Sequence, residues 1–126
     1  MKYLIDTHTL IWMISKPDNI PDRVMSILSS EGKIYVSVVS LWEIAIKKSI
    51  KKLVFDYTIK QISGYCRENE IEIVNIGIKH IEKAEKLPFI HRDPFDRMII
   101  SQAMTEKMTI ITKDENIQKY DIDTVW

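Results

Sequence analysis

A single cysteine, Cys66, in 126 residues excludes an internal disulfide and is compatible with a reducing cytosol. A cytoplasmic location is expected. Cys66 lies between Tyr65 and Arg67 in a helix-like stretch with no base placed to activate it, so it reads as an ordinary thiol. Net charge is missing too, because 18 Lys plus Arg balance 18 Asp plus Glu. A dedicated nucleic-acid binder is usually basic overall, so any such contact here must come from a local patch. No apolar run reaches the roughly 18 residues that suggest a membrane-spanning helix. Lys2 followed by Tyr3, Leu4 and Ile5 imitates a signal peptide only briefly, since Asp6 and His8 interrupt the run. Repeats, low-complexity tracts and internal linkers are also lacking. What is present is 45% apolar residues, as in ordinary globular chains. The length suits one domain, taken here as residues 1–126. A domain of this size buries roughly two-thirds of its unfolded surface and needs no staples.

Short apolar runs alternate with segments of helical period. Residues 2–5, 33–36, 71–74 and 109–112 read as strands, with 122–125 as a short fifth. Residues 7–15, 20 to Gly32, about 40–49, 57–69, 77–86 and 94–107 read as helices, and 115–120 as a shorter one. Asp93-Pro94 is a strong helix start, with Asp as cap and Pro at the first helical position. Lys51 to Phe55 reads as loop. Alternating βα units of this size predict an α/β fold of three layers, a central parallel sheet of four to five strands flanked by helices.

Four acids occupy matching places in this plan. Asp6 and Asp114 follow strand-like runs, whereas Glu43 and Asp96 lie in the first turns of helix-like segments. In a parallel sheet those positions converge at the carboxyl ends of the strands. Clustered carboxylates repel one another unless a cation neutralises them, and hard oxygen ligands suit Mg²⁺ or Mn²⁺. The leading reading is metal-dependent attack on a phosphodiester, with RNA as substrate. Each acid also has a structural reading. Asp6 and Asp114 could be helix caps. Glu43 could close a capping box with Ser40, or fall in the second turn of a helix starting at Ser37. Lys47 could be merely its i,i+4 partner. Asp93 looks like the cap of the Pro94 helix, and Asp96 sits where the helix dipole favours an acid. Lys47, Lys48, Lys51 and Lys52, and His91, Arg92 and Arg97 near Asp96, are either solvated surface or a phosphate-binding rim. Trp12, Met13 and Trp42 are either core or a partner-binding face, and His8 and His80 read as structural.

The segments LIDTHTLIWMI at 4–14, VSVVSLWEIAIKKSIKKL at 36–53, LPFIHRDPFDRMIISQA at 87–103 and TIITKDENIQKY at 109–120 resemble PIN-domain ribonucleases, in particular VapC-like toxins of toxin–antitoxin pairs. The closing DTVW at 123–126 fits as well. The resemblance runs in order along essentially the whole chain, and HRDPFDR is its most specific piece. It implies a PIN-like fold and a metal-dependent endoribonuclease leaving 5′-phosphate and 3′-hydroxyl ends. It implies that Asp6, Asp96 and Asp114 hold Mg²⁺ or Mn²⁺, with Glu43 a further ligand or the group orienting the attacking water. A two-ion version would set the ions roughly 3.5–4 Å apart. Asp93, Thr7 and Thr112 are implied as accessory residues. Lys47, Arg92 and Arg97 are the candidates for RNA phosphate contacts. A homodimer and a small cognate antitoxin covering the site are implied partners, with helical surface near 20–31 or 57–69 expected at any dimer contact.

Two other classes compete. A non-catalytic module of the same fold would bind RNA or a partner, but no acid of the set is lost. A phosphoryl-transfer or receiver-like domain would use an aspartyl nucleophile. Position 8 is His where such phosphohydrolases place a second acid, and residues 71–77 lack the receiver's Asp. Charge alone predicts that Asn at position 6 or 96 leaves the metal-free protein at least as stable.

Overall fold

Leu4 and Ile5 stand side by side in the first strand, and alternation sends them to opposite faces. Both are fully buried, each in a different apolar cluster. The same division separates Tyr35 from Ile34 and Val36, and Ile110 from Ile111. A sheet covered on both faces needs near-continuous apolar strands, and that is what these runs supply. The computed structural model describes residues 1–30 and 32–126. Among these, β1 (Lys2–Ile5), β2 (Lys33–Ser37), β3 (Ile71–Val74), β4 (Thr109–Ile111) and β5 (Thr124–Val125) form one sheet in the order β3-β2-β1-β4-β5. Every pairing is parallel.

Helices α1 (Thr7–Ser15), α2 (Asp22–Leu28), α3 (Val38–Ser49) and α4 (Ile59–Glu68) supply Leu10, Val24, Leu41, Ile44, Ile62 and Cys66 to the first core. Helices α5 (Ile78–Lys86) and α6 (Pro94–Glu106) cover the other face, with Ile99, Ile100 and Ala103 packed against Leu4 and Ile110. The three-layer arrangement expected from the alternating pattern is therefore present. The chain builds outward from β1 to β3, then returns to set β4 on the other side of β1. That reversal makes a crevice beyond the carboxyl ends of β1 and β4, the usual ligand position in open α/β sheets.

Local chemistry sets the helix starts. Ser37, not Ser40, caps α3, its Oγ accepting from Val39 N at 3.1 Å. The capping box with Glu43 is thus not formed, and Glu43 falls in the second turn. Thr58 caps α4 in a true box with Gln61. His80 is structural as expected: Nδ1 accepts from Gly77 N at 2.9 Å, and Nε2 meets Glu106 of α6 at 3.0 Å. Cys66 is wholly buried, and burial pushes its thiol pKa up, which suits the inert thiol the sequence suggested. Trp12 and Met13 pack against the first core, whereas Trp42 is 60% exposed and lies edge-on to Phe95. The second helix is shorter than its pattern, ending at Leu28. Residue 31, the end of the expected 20–31 surface, lies outside the described residues. Residues 115–120 give only a 3-10 turn at Ile117–Lys119. No described helix is long and apolar enough to cross a membrane.

Candidate active site

All but one of the carboxylates at the crevice tie down backbone or hydroxyl groups; Asp96 instead meets the His91 ring. Asp6 ends β1 and caps α1, its Oδ1 accepting from Thr9 N at 2.9 Å and Thr9 Oγ1 at 2.6 Å. Its Oδ2 accepts from Thr112 Oγ1 at 2.5 Å. Asp6 is 4% exposed, and burial raises its pKa despite the hydrogen bonds from Thr112 and Thr9. Asp114, two residues beyond the buried Thr112, spends Oδ1 on the N–H groups of Asn116 (2.7 Å) and Ile117 (3.2 Å). Its Oδ2 is left to face the crevice. Asp93 caps α6, its Oδ1 accepting from Phe95 N at 2.8 Å and Asp96 N at 3.1 Å. The capping readings of Asp6 and Asp93 are thus correct, whereas Asp114 caps no helix and commits only one oxygen to the turn that follows it.

Glu43 is buried at 2% exposure. Thr7 Oγ1 lies 2.7 Å from its Oε1 and 2.9 Å from Ser40 Oγ. Lys47 Nζ sits 2.5 Å from Oε2. The bond to Glu43 is the main reason the Lys47 pKa rises, with the charges of Asp93 and Asp96 adding to it. Asp96 is the centre of the group. Burial first, then the negative charges of Asp93, Glu43, Asp6 and Asp114, push its pKa up to about 8. The sequence placed these acids on one rim, and the structure makes them close enough to act on one another.

His91 is the residue the sequence undervalued. It was grouped with the basic rim, but its Nε2 lies 2.9 Å from Asp96 Oδ2 and 3.3 Å from Asp114 Oδ2. The N–H of Asp93 donates to its Nδ1 at 3.2 Å. With Nδ1 accepting, Nε2 carries the hydrogen and donates it toward the carboxylates. Among the described residues, His91, Asp96 and Asp114 offer three ligand atoms within 4.8 Å of one another. The signal was in the HRDPFD run, where His stands two residues before the helix cap. Thr9 was missed as well; its two donors hold Asp6 Oδ1, as Thr112 holds Oδ2.

The structure corrects Arg97. It is only 8% exposed, and its guanidinium donates to the carbonyls of Ala84 (3.1 Å), Leu87 (3.0 Å), Pro88 (2.9 Å) and His91 (3.3 Å). It also stacks over Phe89, 4.0 Å from the ring centroid. A fork so fully engaged fixes the loop before α6 rather than gripping a phosphate. Arg92 is exposed and Lys47 retains donors beyond its bond to Glu43.

Fold and site together define a parallel α/β protein with a carboxylate-lined crevice at the point where strand order reverses. The chain belongs to the PIN domain family, whose model matches residues 3–123. Its structure resembles VapBC2 from Rickettsia felis bound to a DNA fragment from their promoter, with a TM-score of 0.71, 18% identity, and 99% of this chain and 98% of that one covered. It also resembles VapBC-1 from nontypeable Haemophilus influenzae, with a TM-score of 0.67, 18% identity and coverage of 99% and 97%. A toxin–antitoxin complex from Klebsiella pneumoniae gives a TM-score of 0.68, 16% identity and coverage of 98% and 96%. At such identities the likeness is one of fold. A comparison of the sequence with curated proteins gives no match.

Proposed function

We propose that this chain is a divalent-metal-dependent endoribonuclease and the toxin of a toxin–antitoxin pair. The observation that carries the reading is the crowding around Asp96, where burial first and then four other acids push its pKa up to about 8. Such a cluster is unfavourable unless a cation joins it. The donor set fits Mg²⁺ or Mn²⁺, because hard carboxylate oxygens line the crevice. Asp96 and Asp114 would hold the ion, with Asp6 and Glu43 completing its surroundings. Bound there, it supplies Lewis acidity toward phosphoryl oxygens and eases deprotonation of water.

The chain's own groups have distinct tasks in this reading. Glu43, immobilised by Thr7 and Lys47, accepts a hydrogen bond from the attacking water and turns it toward phosphorus. Thr112 holds Asp6, and Asp93 sets the start of α6 and so the direction of Asp96. Lys47 and the exposed Arg92 neutralise phosphate oxygens beside the break. Cleavage at the 3′-oxygen leaves a 5′-phosphate and a 3′-hydroxyl. VapBC and toxin–antitoxin complexes among the similar structures support a cognate antitoxin as partner. In this reading the toxin is a cytoplasmic homodimer of one domain per chain.

The test is incubation with end-labelled RNA in Mg²⁺ or Mn²⁺, with and without EDTA, beside the Asp96→Asn variant. Ion-dependent internal cuts bearing 5′-phosphates, absent with EDTA and in the variant, are expected. Cutting that survives EDTA, or no cutting of any RNA with either ion, would overturn the proposal.

A further inference from the structure

A cleft of about 760 Å³ opens beside the acids, walled by α1, α3 and the loop that leads to α4. Thr7, Glu43 and Lys47 belong to its wall, so it adjoins the acidic site. Its other walls differ in character. His8 and Trp12 contribute rings 6.2 Å apart, and Phe55 and Tyr57 rings 5.0 Å apart. Phe55 is buried, whereas Tyr57 is 38% exposed, so Phe55 backs a ring that is open to a ligand. Lys16 and Lys52 join Lys47 on the wall, against Asp56 and Glu43, and Glu43 is already paired with Lys47.

The loop is held in place from α3. The N–H groups of Lys52 and Leu53 donate to the Lys47 carbonyl at 2.8 and 3.2 Å, and the Lys48 ammonium donates to the Tyr57 carbonyl. The cleft is therefore set before anything enters it. Ring faces interleaved with ammonium groups are what single-stranded nucleic acid requires, the rings for bases and the cations for phosphates. The formal balance of charges over the whole chain is thus no obstacle, because the cations are gathered locally.

We infer that this cleft takes an unpaired nucleotide flanking the cleaved phosphodiester, with its base stacked on Tyr57 and its phosphate met by Lys52. The inference rests on the nuclease reading and extends it, since it says where the strand continues beyond the acids.

The experiment measures fluorescence anisotropy of a labelled single-stranded hexaribonucleotide titrated with full-length Asp96→Asn protein, to which further changes are added. Tyr57→Ala is expected to weaken binding about tenfold, equivalent to about 1.4 kcal/mol, and Tyr57→Phe to restore it. Lys52→Gln is expected to lower the salt dependence by about one ion. Lys83→Gln, in a separate cleft, should change nothing. Lys52 is exposed, so its variant keeps the test decisive even if Tyr57→Ala does not fold. Parental affinity and salt dependence in the Tyr57 and Lys52 variants would overturn the inference; retained RNA cutting by the otherwise wild-type chain would then leave the nuclease reading intact. Absence of both binding and cutting would remove the two together. Variants that keep the oligonucleotide but release a co-expressed antitoxin would assign the cleft to a protein instead.

Discussion

Replacing Asp96 with Asn should stabilise the metal-free protein, by an amount that depends on pH. In the unfolded chain this carboxyl titrates near 3.8, and in the fold near 8. Between those values the folded state holds a proton that the unfolded state has released, so stability falls as pH rises. Stability from the protonated form is fully present below the unfolded pKa and is lost as pH climbs through the folded one. At pH 7.5 the difference spans about 3.5 units, which sets a ceiling of about 5 kcal/mol at 1.36 kcal/mol per unit. His91 Nε2, 2.9 Å away, donates to the carboxylate and relieves part of this, and water reaches the partly exposed side chain. A gain of about 2 kcal/mol is the working expectation, or roughly 7 °C in melting temperature for a chain of this length. The assay is thermal melting in EDTA across pH 4.5–8 for both proteins, where the gap should open with rising pH. Added Mn²⁺ should raise the wild type, by about 2.7 kcal/mol at a hundredfold excess over its dissociation constant, and leave the variant nearly unmoved. A gap that stays constant across the pH range, or an Asn variant less stable than wild type throughout, would refute the electrostatic account of this site.

Other perturbations separate charge from architecture. Asp6→Ala should destabilise the metal-free protein by about 1–2 kcal/mol in urea unfolding, because Thr9 N–H and the hydroxyls of Thr9 and Thr112 lose their acceptor. His91→Ala should lower stability in EDTA by about 1 kcal/mol, since Asp96 and Asp114 lose their shared donor, and added Mn²⁺ should narrow the difference. Arg97→Lys should destabilise by about 3 kcal/mol in the same unfolding assay, because an ammonium cannot serve the four carbonyls now bound by the fork. Near-wild-type stability with weakened RNA binding would return Arg97 to a phosphate-gripping role.

The legible part of this protein was its periodicity and its punctuation. Strand runs such as KYLI and KIYV marked β1 and β2 because a sheet covered on both faces needs unbroken apolar strands. Asp93-Pro94 marked the start of α6 because cap and fixed φ act within one turn. The rim position of Asp6, Glu43, Asp96 and Asp114 followed from strand and helix ends, since alternating βα units put those ends on one side. What lay beyond reach were choices made between distant groups. Ser37 rather than Ser40 became the cap, and Ser40 turned to Thr7 instead. Arg97 read as a surface cation because nothing local reveals that the carbonyls of residues 84, 87 and 88 accept its fork. His91 read as rim because only β4 brings Asp114 to its ring.

Local sequence, then, determined which segments form strands and helices and which residue types stand at their ends, because capping, proline geometry and apolar period operate over a few residues. The tertiary structure alone decided that Asp114 gives one oxygen to the backbone and turns the other toward His91, and that Asp96 sits at the focus of four other acids. Those outcomes depend on burial and on distances of a few ångströms between residues far apart in the chain, and electrostatic energy varies steeply with both.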